Sequence, residues 1–384
     1  MTRRVQPLLC PNAFTGLEEV THLCTGGEAP WLREFDAVYA QFAELKSTGD
    51  RGREEIFAVG EQCRRQVGLL WGVEPCNIAF VPSAAEGMNW LARGLDWRAG
   101  DNVVTDNLEF PSVAYAWRNL RERGVEVRMV SHRDWHIHEA DVVAAVDERT
   151  RVVAVSQVSF YTGQNLDLRE LSTGLSRSAG DPLLAVDATH ASGVIEVPAK
   201  LTDLCVSSSY KWMLATHGTA PCFVGKRAQQ AVSDSCFGWH NLAVWPVQGA
   251  ERAADVDVRP MPERLEPGNL AMLVVMFLEC ALRRSLEIGT SKIQEHARDL
   301  SEIAAQQLGA LGLTVISPSE RTARSGNTCF RARDARGVAE ALADRGILVW
   351  GDYGRVRVSG HLYNGSCDID RLSEALSEIR VETQ

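Results

Sequence analysis

The chain lacks any paired cysteine motif. Its ten cysteines (Cys10, Cys24, Cys63, Cys76, Cys205, Cys222, Cys236, Cys280, Cys329 and Cys367) stand singly, with no Cys-x-x-Cys among them. That pattern signals neither a zinc centre nor a disulfide framework, so no metal site is expected. No block of basic residues occurs, and 50 acidic against 40 basic side chains leave a formal net charge of −10. This balance argues against a nucleic-acid partner. No segment approaches the length of a membrane span, and residues 1–12 contain no apolar stretch long enough for a secretory signal. A reducing cytoplasm, with no membrane partner, is the expected setting. Neither Gly-x-Gly-x-x-Gly nor Gly-x-x-x-x-Gly-Lys-Ser/Thr occurs, which argues against a nucleotide-binding α/β protein. Internal repeats and low-complexity linkers are also missing, so the domains should pack closely.

What is there has an ordinary globular composition, 45% hydrophobic and 23% charged, spread over 384 residues. That length exceeds the usual single core, so one large and one smaller domain are expected. Helical and strand patterns alternate, which predicts an α/β architecture. Residues 30–71 read as helices, 77–81 as a short apolar strand and 88–94 as helix, with further strands at 101–105, 125–130, 150–156, 182–187 and 204–208. From 270 to 309 the pattern predicts one long helical region, whose apolar run at 270–278 is too short to span a membrane. Beyond it, strands are predicted at 313–316, 328–331, 347–350 and 356–359, with helices at 335–345 and from Asp368. The expected division is an N-terminal segment at 1–25, a large domain at 26–269 and a small C-terminal domain at 270–384.

Two of these strands end on charged residues. One closes on Asp187, and the other runs into Ser207-Ser208-Ser209-Tyr210-Lys211-Trp212, 24 positions from the carboxylate to the lysine. Both strands read as buried, where a carboxylate and a lysine are costly without a partner or a ligand. Pyridoxal 5'-phosphate (PLP) would meet both needs. Lys211 would form the Schiff base with its aldehyde, and Asp187 would hold the pyridine nitrogen protonated so that the ring accepts carbanion electrons. Taken singly, Lys211 also fits a surface loop lysine and Asp187 a strand-end helix cap; agreement with further segments speaks against that reading.

The order of those segments resembles the class V aminotransferase group of fold type I PLP enzymes, which includes cysteine desulfurases, isopenicillin N epimerase-like proteins, carbon–sulfur lyases and kynureninases. The resemblance covers nearly the whole chain. It implies a large domain with a mostly parallel mixed sheet between helices, plus a smaller C-terminal α+β domain. Ser83-Ala84-Ala85-Glu86 stands where the group opens a helix on the cofactor phosphate, a dianion suited to free N–H groups and the positive end of a helix dipole; the same four residues are also an ordinary capping box. Glu109-Phe110-Pro111-Ser112 matches the segment whose ring lies over the cofactor, which implies that Phe110 stacks on the pyridine. Val158-Ser159-Phe160-Tyr161-Thr162-Gly163-Gln164 resembles the loop that nears the phenolic oxygen, with Ser159 as a contact. His190, three residues after Asp187, falls where relatives carry Gln or His near the ring hydroxyl; a purely structural hydrogen bond is the other reading. Ser208 and Tyr210 fall where the group supplies phosphate ligands. Glu266-Pro267-Gly268-Asn269 resembles a Glu-x-Gly-Thr element reaching the neighbouring subunit's phosphate site, so Asn269 and a homodimer with a shared active site are implied.

The substrate end follows the same resemblance. Arg357-Val-Ser-Gly-His-Leu-Tyr363-Asn364 looks like the Arg-x-Ser-x-x-x-Tyr-Asn signature whose arginine binds the α-carboxylate of an amino-acid substrate. A planar guanidinium suits that task, although an arginine in a strand is often only a sheet-surface residue. Trp350 and Tyr353 fit the loop at the site entrance, and Trp239 matches a Gly-Trp region of the substrate pocket or, equally, a packing tryptophan. A desulfurase needs a mobile thiol to carry sulfur away, yet no cysteine lies between Trp350 and Arg357. With Phe110 where desulfurases usually have histidine, the expected reaction is Cα deprotonation by Lys211 and β-elimination from a cysteine-derived substrate. The alternatives are an aminotransferase, then an epimerase or a kynureninase-like hydrolase, and, from another class, a catalytically silent scaffold, against which the joint retention of Lys211, Asp187 and Arg357 argues.

Overall fold

The computed structural model describes residues 4–233, 237–244, 257–379 and 381–382. Cys236, counted among the cysteines above, lies outside them. In chain order the first elements are β1 (Thr21–His22), α1 (Glu34–Lys46), α2 (Asp50–Trp71), β2 (Ile78–Val81), α3 (Ala84–Gly94), β3 (Asn102–Asp106) and α4 (Pro111–Ala114). There follow β4 (Glu126–Val130), α5 (Glu139–Ala144), β5 (Thr150–Ser156), α6 (Leu168–Leu175), β6 (Leu183–Asp187), β7 (Leu204–Val206), β8 (Ala220–Val224) and α7 (Lys226–Ala231). The C-terminal elements are α8 (Met272–Ile288), α9 (Thr290–Ala310), β9 (Asn327–Arg331), α10 (Ala335–Ala343), β10 (Ile347–Leu348), β11 (Trp350–Asp352), β12 (Arg355–Ser359) and α11 (Ser366–Glu378).

A seven-stranded sheet of order β2-β8-β7-β6-β5-β3-β4 forms the centre. Strands β4, β3, β5, β6 and β7 are parallel, while β8 and β2 close one edge in antiparallel pairs. Every residue of β6 is buried, as a sheet covered on both faces requires. Alternation along the strands splits the core between the two faces. Val103, Ala154 and Ala185 pack with Met88, Leu91 and Trp117 on one side, and Val104, Val153, Val155, Leu184 and Val186 pack with Leu171 on the other. Because the central strands are parallel, their carboxyl ends collect at one edge, where Ser156 pairs in register with Asp187 and Asp187 with Val206. The strand order reverses around β3 and β5, and open sheets of this kind bind ligands just outside such a point.

A second sheet, β11-β12-β9, is antiparallel, and β1 pairs parallel with β10. The N-terminal segment is therefore stitched to the C-terminal part, and Cys24 adds a bridge to Ser359. Two expectations from the sequence need adjusting. The helical region predicted from 270 is two helices, because the chain breaks at Gly289. At 313–316 there is no strand, only a single bridge from Val315 to Phe330. Helix α8 buries Val275, Phe277 and Leu278 in one cluster with Phe35 of α1 and Cys63 of α2, so chain on both sides of position 270 shares a core. No helix among the described residues is long and apolar enough to cross a membrane.

Glu266 ties the antiparallel edge to α2. Its carboxylate accepts the Phe80 N–H at 2.7 Å and pairs with Arg64 at 3.0 Å, with only 3% of the Glu266 side chain exposed. Removing Glu266 leaves the buried Arg64 with only the exposed Glu61, at 3.2 Å, as a carboxylate partner among the described residues. Glu266→Ala should therefore lose about 3 kcal/mol of stability, read as a lower urea midpoint; a midpoint equal to wild type would show that Arg64 is solvated without its partner.

Candidate active site

Lys211 follows β7 in the loop at the sheet's carboxyl edge. The sequence holds five lysines, four of them exposed, while Lys211 is only 6% exposed. Burial pushes its pKa down to about 8, the Arg357 charge acts the same way, and Asp187 opposes both. Its amine stands 3.1 Å from His190 Nε2 and 5.3 Å from the centre of the Phe110 ring. Asp187 ends β6 and accepts the Thr189 N–H at 2.7 Å. Burial raises its carboxyl above the ordinary range, while Thr189 and the Lys211 charge pull it back.

The helix start at α3 closes the other side. Ser83 caps it by accepting the Glu86 N–H at 3.3 Å, the Ala84 N–H donates to Ser208 Oγ at 3.2 Å, and the Ser208 N–H donates to Thr189 Oγ1 at 3.0 Å. These contacts join the first turn of α3, the Asp187 loop and the Lys211 loop into one cradle. Its cavity, about 140 Å³, is lined by Ser83, Ala84, Ala85, Phe110, Asp187, His190, Ser208, Tyr210 and Lys211, together with Ser112, Ser156, Val158, Phe160 and Thr189. A carboxylate, a partly discharged lysine and a helix N-terminus flanked by hydroxyls are the donor set that PLP needs for its ring nitrogen, aldehyde and phosphate. The residues present fit that group.

Six other expected residues do not line this cavity. Arg357 is 3% exposed on β12 and donates from Nη1 to the Phe160 carbonyl at 3.0 Å, so it meets the cavity wall through Phe160. Burial brings its pKa down to about 10. The Trp350 ring lies 4.9 Å from the Arg357 guanidinium, and Tyr353 is exposed at the hairpin tip. Ser159 turns its hydroxyl into its own loop, accepting the N–H groups of Tyr161 at 3.1 Å and Thr162 at 3.3 Å. Trp239 is largely exposed beside Arg53, and Asn269 is exposed. A larger cleft of about 720 Å³, bordered by His136, Gln157, Glu196 and Arg298, contains no lysine and none of the residues expected to carry chemistry.

Sequence reasoning did not single out four neighbours of the site. Thr189 was visible inside the Asp187-Ala-Thr-His190 run. Arg355, 1% exposed, lies between Tyr161 at 3.6 Å and Trp350 at 4.8 Å; the Arg-Val-Arg spacing could have announced it, because alternate strand residues share a face. Cys24 comes from the N-terminal segment into the field of Arg357, with its thiol pushed up by burial. Asn327, on β9, approaches His190 Nδ1 at 3.1 Å. Neither of the last two carried a sequence signal, since both positions depend on how the small sheet docks.

The family description Aminotransferase class-V matches residues 33–372. The chain belongs to that family. It is 26% identical over 340 residues to a probable cysteine desulfurase of Methanothermobacter thermautotrophicus, covering 83% of each chain. It is 25% identical over 385 residues to isopenicillin N epimerase of Streptomyces clavuligerus, covering 94% of this chain and 96% of that one. Among solved structures, the cystine C–S lyase C-DES with glycine covalently linked to its PLP cofactor superposes with a TM-score of 0.88 at 18% identity, covering 97% of this chain and all of that one, which establishes the fold type I architecture. As a member of this class-V family the protein is a PLP-dependent enzyme.

Two measurements test the assignment of Lys211. Borohydride reduction of the loaded protein should fix the cofactor to Lys211 in peptide maps. In protein stripped of cofactor, acylation of that lysine should rise with pH through about 8, because the neutral amine is the reactive form. An adduct on another lysine would overturn the assignment.

Proposed function

We propose that the enzyme removes the Cα proton of a β-substituted, cysteine-derived amino acid and eliminates the β-thiolate, releasing a thiol, ammonia and a keto acid. The observation that carries this reading is the hairpin between β11 and β12. Only Tyr353 and Gly354 join the two strands, with φ of 49° and 72°, the left-handed pair that a tight two-residue turn demands. A turn this short leaves no room for a mobile thiol, which supports elimination over sulfur transfer to the protein through this segment.

The roles follow from local chemistry. When bound, PLP supplies the sink for the electrons left at Cα. Arg357, buried and without a carboxylate partner among the described residues, receives the substrate's α-carboxylate through its planar fork. Lys211, whose pKa burial brings down to about 8 so that a neutral fraction is present near neutral pH, takes the Cα proton on Nζ. Phe110 covers the cavity with a ring that cannot exchange protons, so it shields the reacting face and leaves acid–base work to Lys211 and His190. A thiolate leaves with little acid assistance, whereas an amine or hydroxide would require a strong donor. The likeness to the cystine C–S lyase and to the probable cysteine desulfurases supports sulfur-bearing substrates. Asn269, exposed and away from its own cavity, supports a homodimer in which it reaches the partner subunit.

With an S-substituted cysteine, the loaded protein should release thiol, ammonia and keto acid in equal amounts. Alanine together with a persulfide on Cys24, a thiol in the field of Arg357, would instead show sulfur transfer. Accumulation of the amine form of the cofactor, reversed by a second keto acid, would establish transamination, and solvent deuterium at Cα without cleavage would establish epimerisation.

Arg357→Ala should weaken the spectral response to added amino acid by roughly 10- to 150-fold, the value of a charge-assisted contact of about 1.5–3 kcal/mol. Arg357→Lys should recover part of the loss, because it keeps the charge without the fork. An unchanged titration would make Arg357 structural.

A further inference from the structure

A chain of hydrogen bonds runs from the small sheet to the lysine. Ser359 Oγ on β12 donates to Asn327 Oδ1 on β9 at 2.7 Å. Asn327 Nδ2 then meets His190 Nδ1 at 3.1 Å, and the Trp212 indole N–H meets the same nitrogen at 3.4 Å. His190 Nε2 is 3.1 Å from Lys211 Nζ. All four of Ser359, Asn327, His190 and Trp212 are buried, so water does not substitute for any link.

The donors decide the protonation pattern. An indole N–H can only donate, and an amide nitrogen can only donate. Both converge on Nδ1, which must therefore carry a lone pair. The proton of neutral imidazole then sits on Nε2 and points at Lys211, which accepts it as the neutral amine, the form that prevails above about pH 8. With the amide so oriented, Ser359 supplies its hydrogen to Asn327 Oδ1, and the Trp212 N–H, which can only donate, requires the lone pair on Nδ1 in either case.

We infer that Asn327 is a positioning residue: with Trp212 it locks His190 in the Nε2–H tautomer and so keeps the Lys211 amine a hydrogen-bond acceptor. The inference rests on the reading of Lys211 as the cofactor lysine. It makes the reactive state of a large-domain lysine depend on the docking of the small sheet, because Asn327 and Ser359 enter only with β9 and β12. Other charges act on the same pair. Arg357 and Arg355 from β12 oppose protonation of His190, as does Lys211 itself, while Asp187 from β6 and Glu28 and Cys24 from the N-terminal segment favour protonation of Lys211. Burial disfavours the imidazolium most of all, so no charged histidine competes with the tautomer argument at neutral pH.

The first test uses the full chain with labelled histidine ring nitrogens, the His190 signals being assigned by their loss in His190→Gln. The wild-type protein should show Nε2 protonated and Nδ1 bare; a protonated Nδ1 would overturn the proposal, whatever lysine the cofactor uses. The second test is Asn327→Asp. A carboxylate there accepts from Nδ1–H and reverses the tautomer, which turns Nε2 into an acceptor and favours the Lys211 ammonium. Addition of PLP to the stripped variant, followed by absorbance, should then be about tenfold slower near neutral pH, as a one-unit rise in the lysine pKa implies, and should recover as pH rises. Asn327→Ser, which keeps a donor, should restore part of the wild-type rate. If Asn327→Asp takes up cofactor with the wild-type pH profile, Asn327 is structural only. Attachment of the cofactor elsewhere than Lys211 would refute the lysine reading while leaving the tautomer result intact.

Discussion

The structure depends on keeping Lys211 out of water. An ammonium in the interior is unfavourable, and the fold responds by lowering its charge more than by pairing it. Asp187 is the one carboxylate at the adjoining strand end, and its own burial raises its pKa, so the two groups share a modest attraction where an exposed pair would each be fully ionised. This compromise fixes the geometry around it. The lysine must follow a strand end, the carboxylate must end the neighbouring parallel strand, and both strands must be apolar throughout. The register of Asp187 with Val206, with Lys211 five residues beyond that partner, meets those demands.

Parallel pairing explains why the remaining cradle sits where it does. Because β3, β5, β6 and β7 all finish on one edge, Phe110, Ser156, Asp187 and Ser208 come from or just beyond four separate strand ends yet line one cavity. The loop at 158–164 then joins this edge to the small sheet. Gly163, at φ +76°, passes so near β9 that an added Cβ would lie 2.7 Å from the Asn327 carbonyl oxygen, and only glycine combines that conformation with that clearance. Phe160 in the same loop accepts a hydrogen bond from Arg357, so the cavity and the arginine proposed to bind substrate are separated by a single backbone segment.

The parts legible in the sequence are those encoded by local chemistry. Buried strands ending at Asp187 and running into Lys211, the capping run at Ser83 and the sparse residues between Trp350 and Arg357 announce themselves, because each is constrained by its immediate neighbours. Their joint convergence on one cavity was expected from family resemblance, whereas the walls formed by Thr189 and Phe160 emerge from the fold. Asn327 carries no reading from the sequence, since nothing within β9 indicates that His190 lies opposite. The break at Gly289 falls on a glycine at φ +96°, a local punctuation of the helical pattern, and at 313–316 the apolar run forms only the bridge from Val315 to Phe330. Ser159 shows the limit of motif reading: its hydroxyl satisfies N–H groups in its own loop, a local demand that any serine at such a turn can answer.

The two arginines of β12 show how the fold distinguishes a structural cation from one awaiting a ligand. Both are buried and neither has a carboxylate partner among the described residues. Arg355 lies 3.6 Å from the Tyr161 ring centre with Trp350 at 4.8 Å on another side, and Tyr161 itself stacks on Trp135. Desolvated cation–π contacts of this kind return about 2 kcal/mol each, which goes some way toward offsetting the loss of water. Arg357 has only Trp350 at 4.9 Å and the Phe160 carbonyl, and its Nε has no acceptor. In ring contacts Arg357 is thus the less compensated of the two, although Arg355 leaves both its Nε and its Nη1 without an acceptor. This asymmetry supports Arg357 as the carboxylate-binding group, and it assigns to Arg355 the task of bracing the aromatic wall beside it.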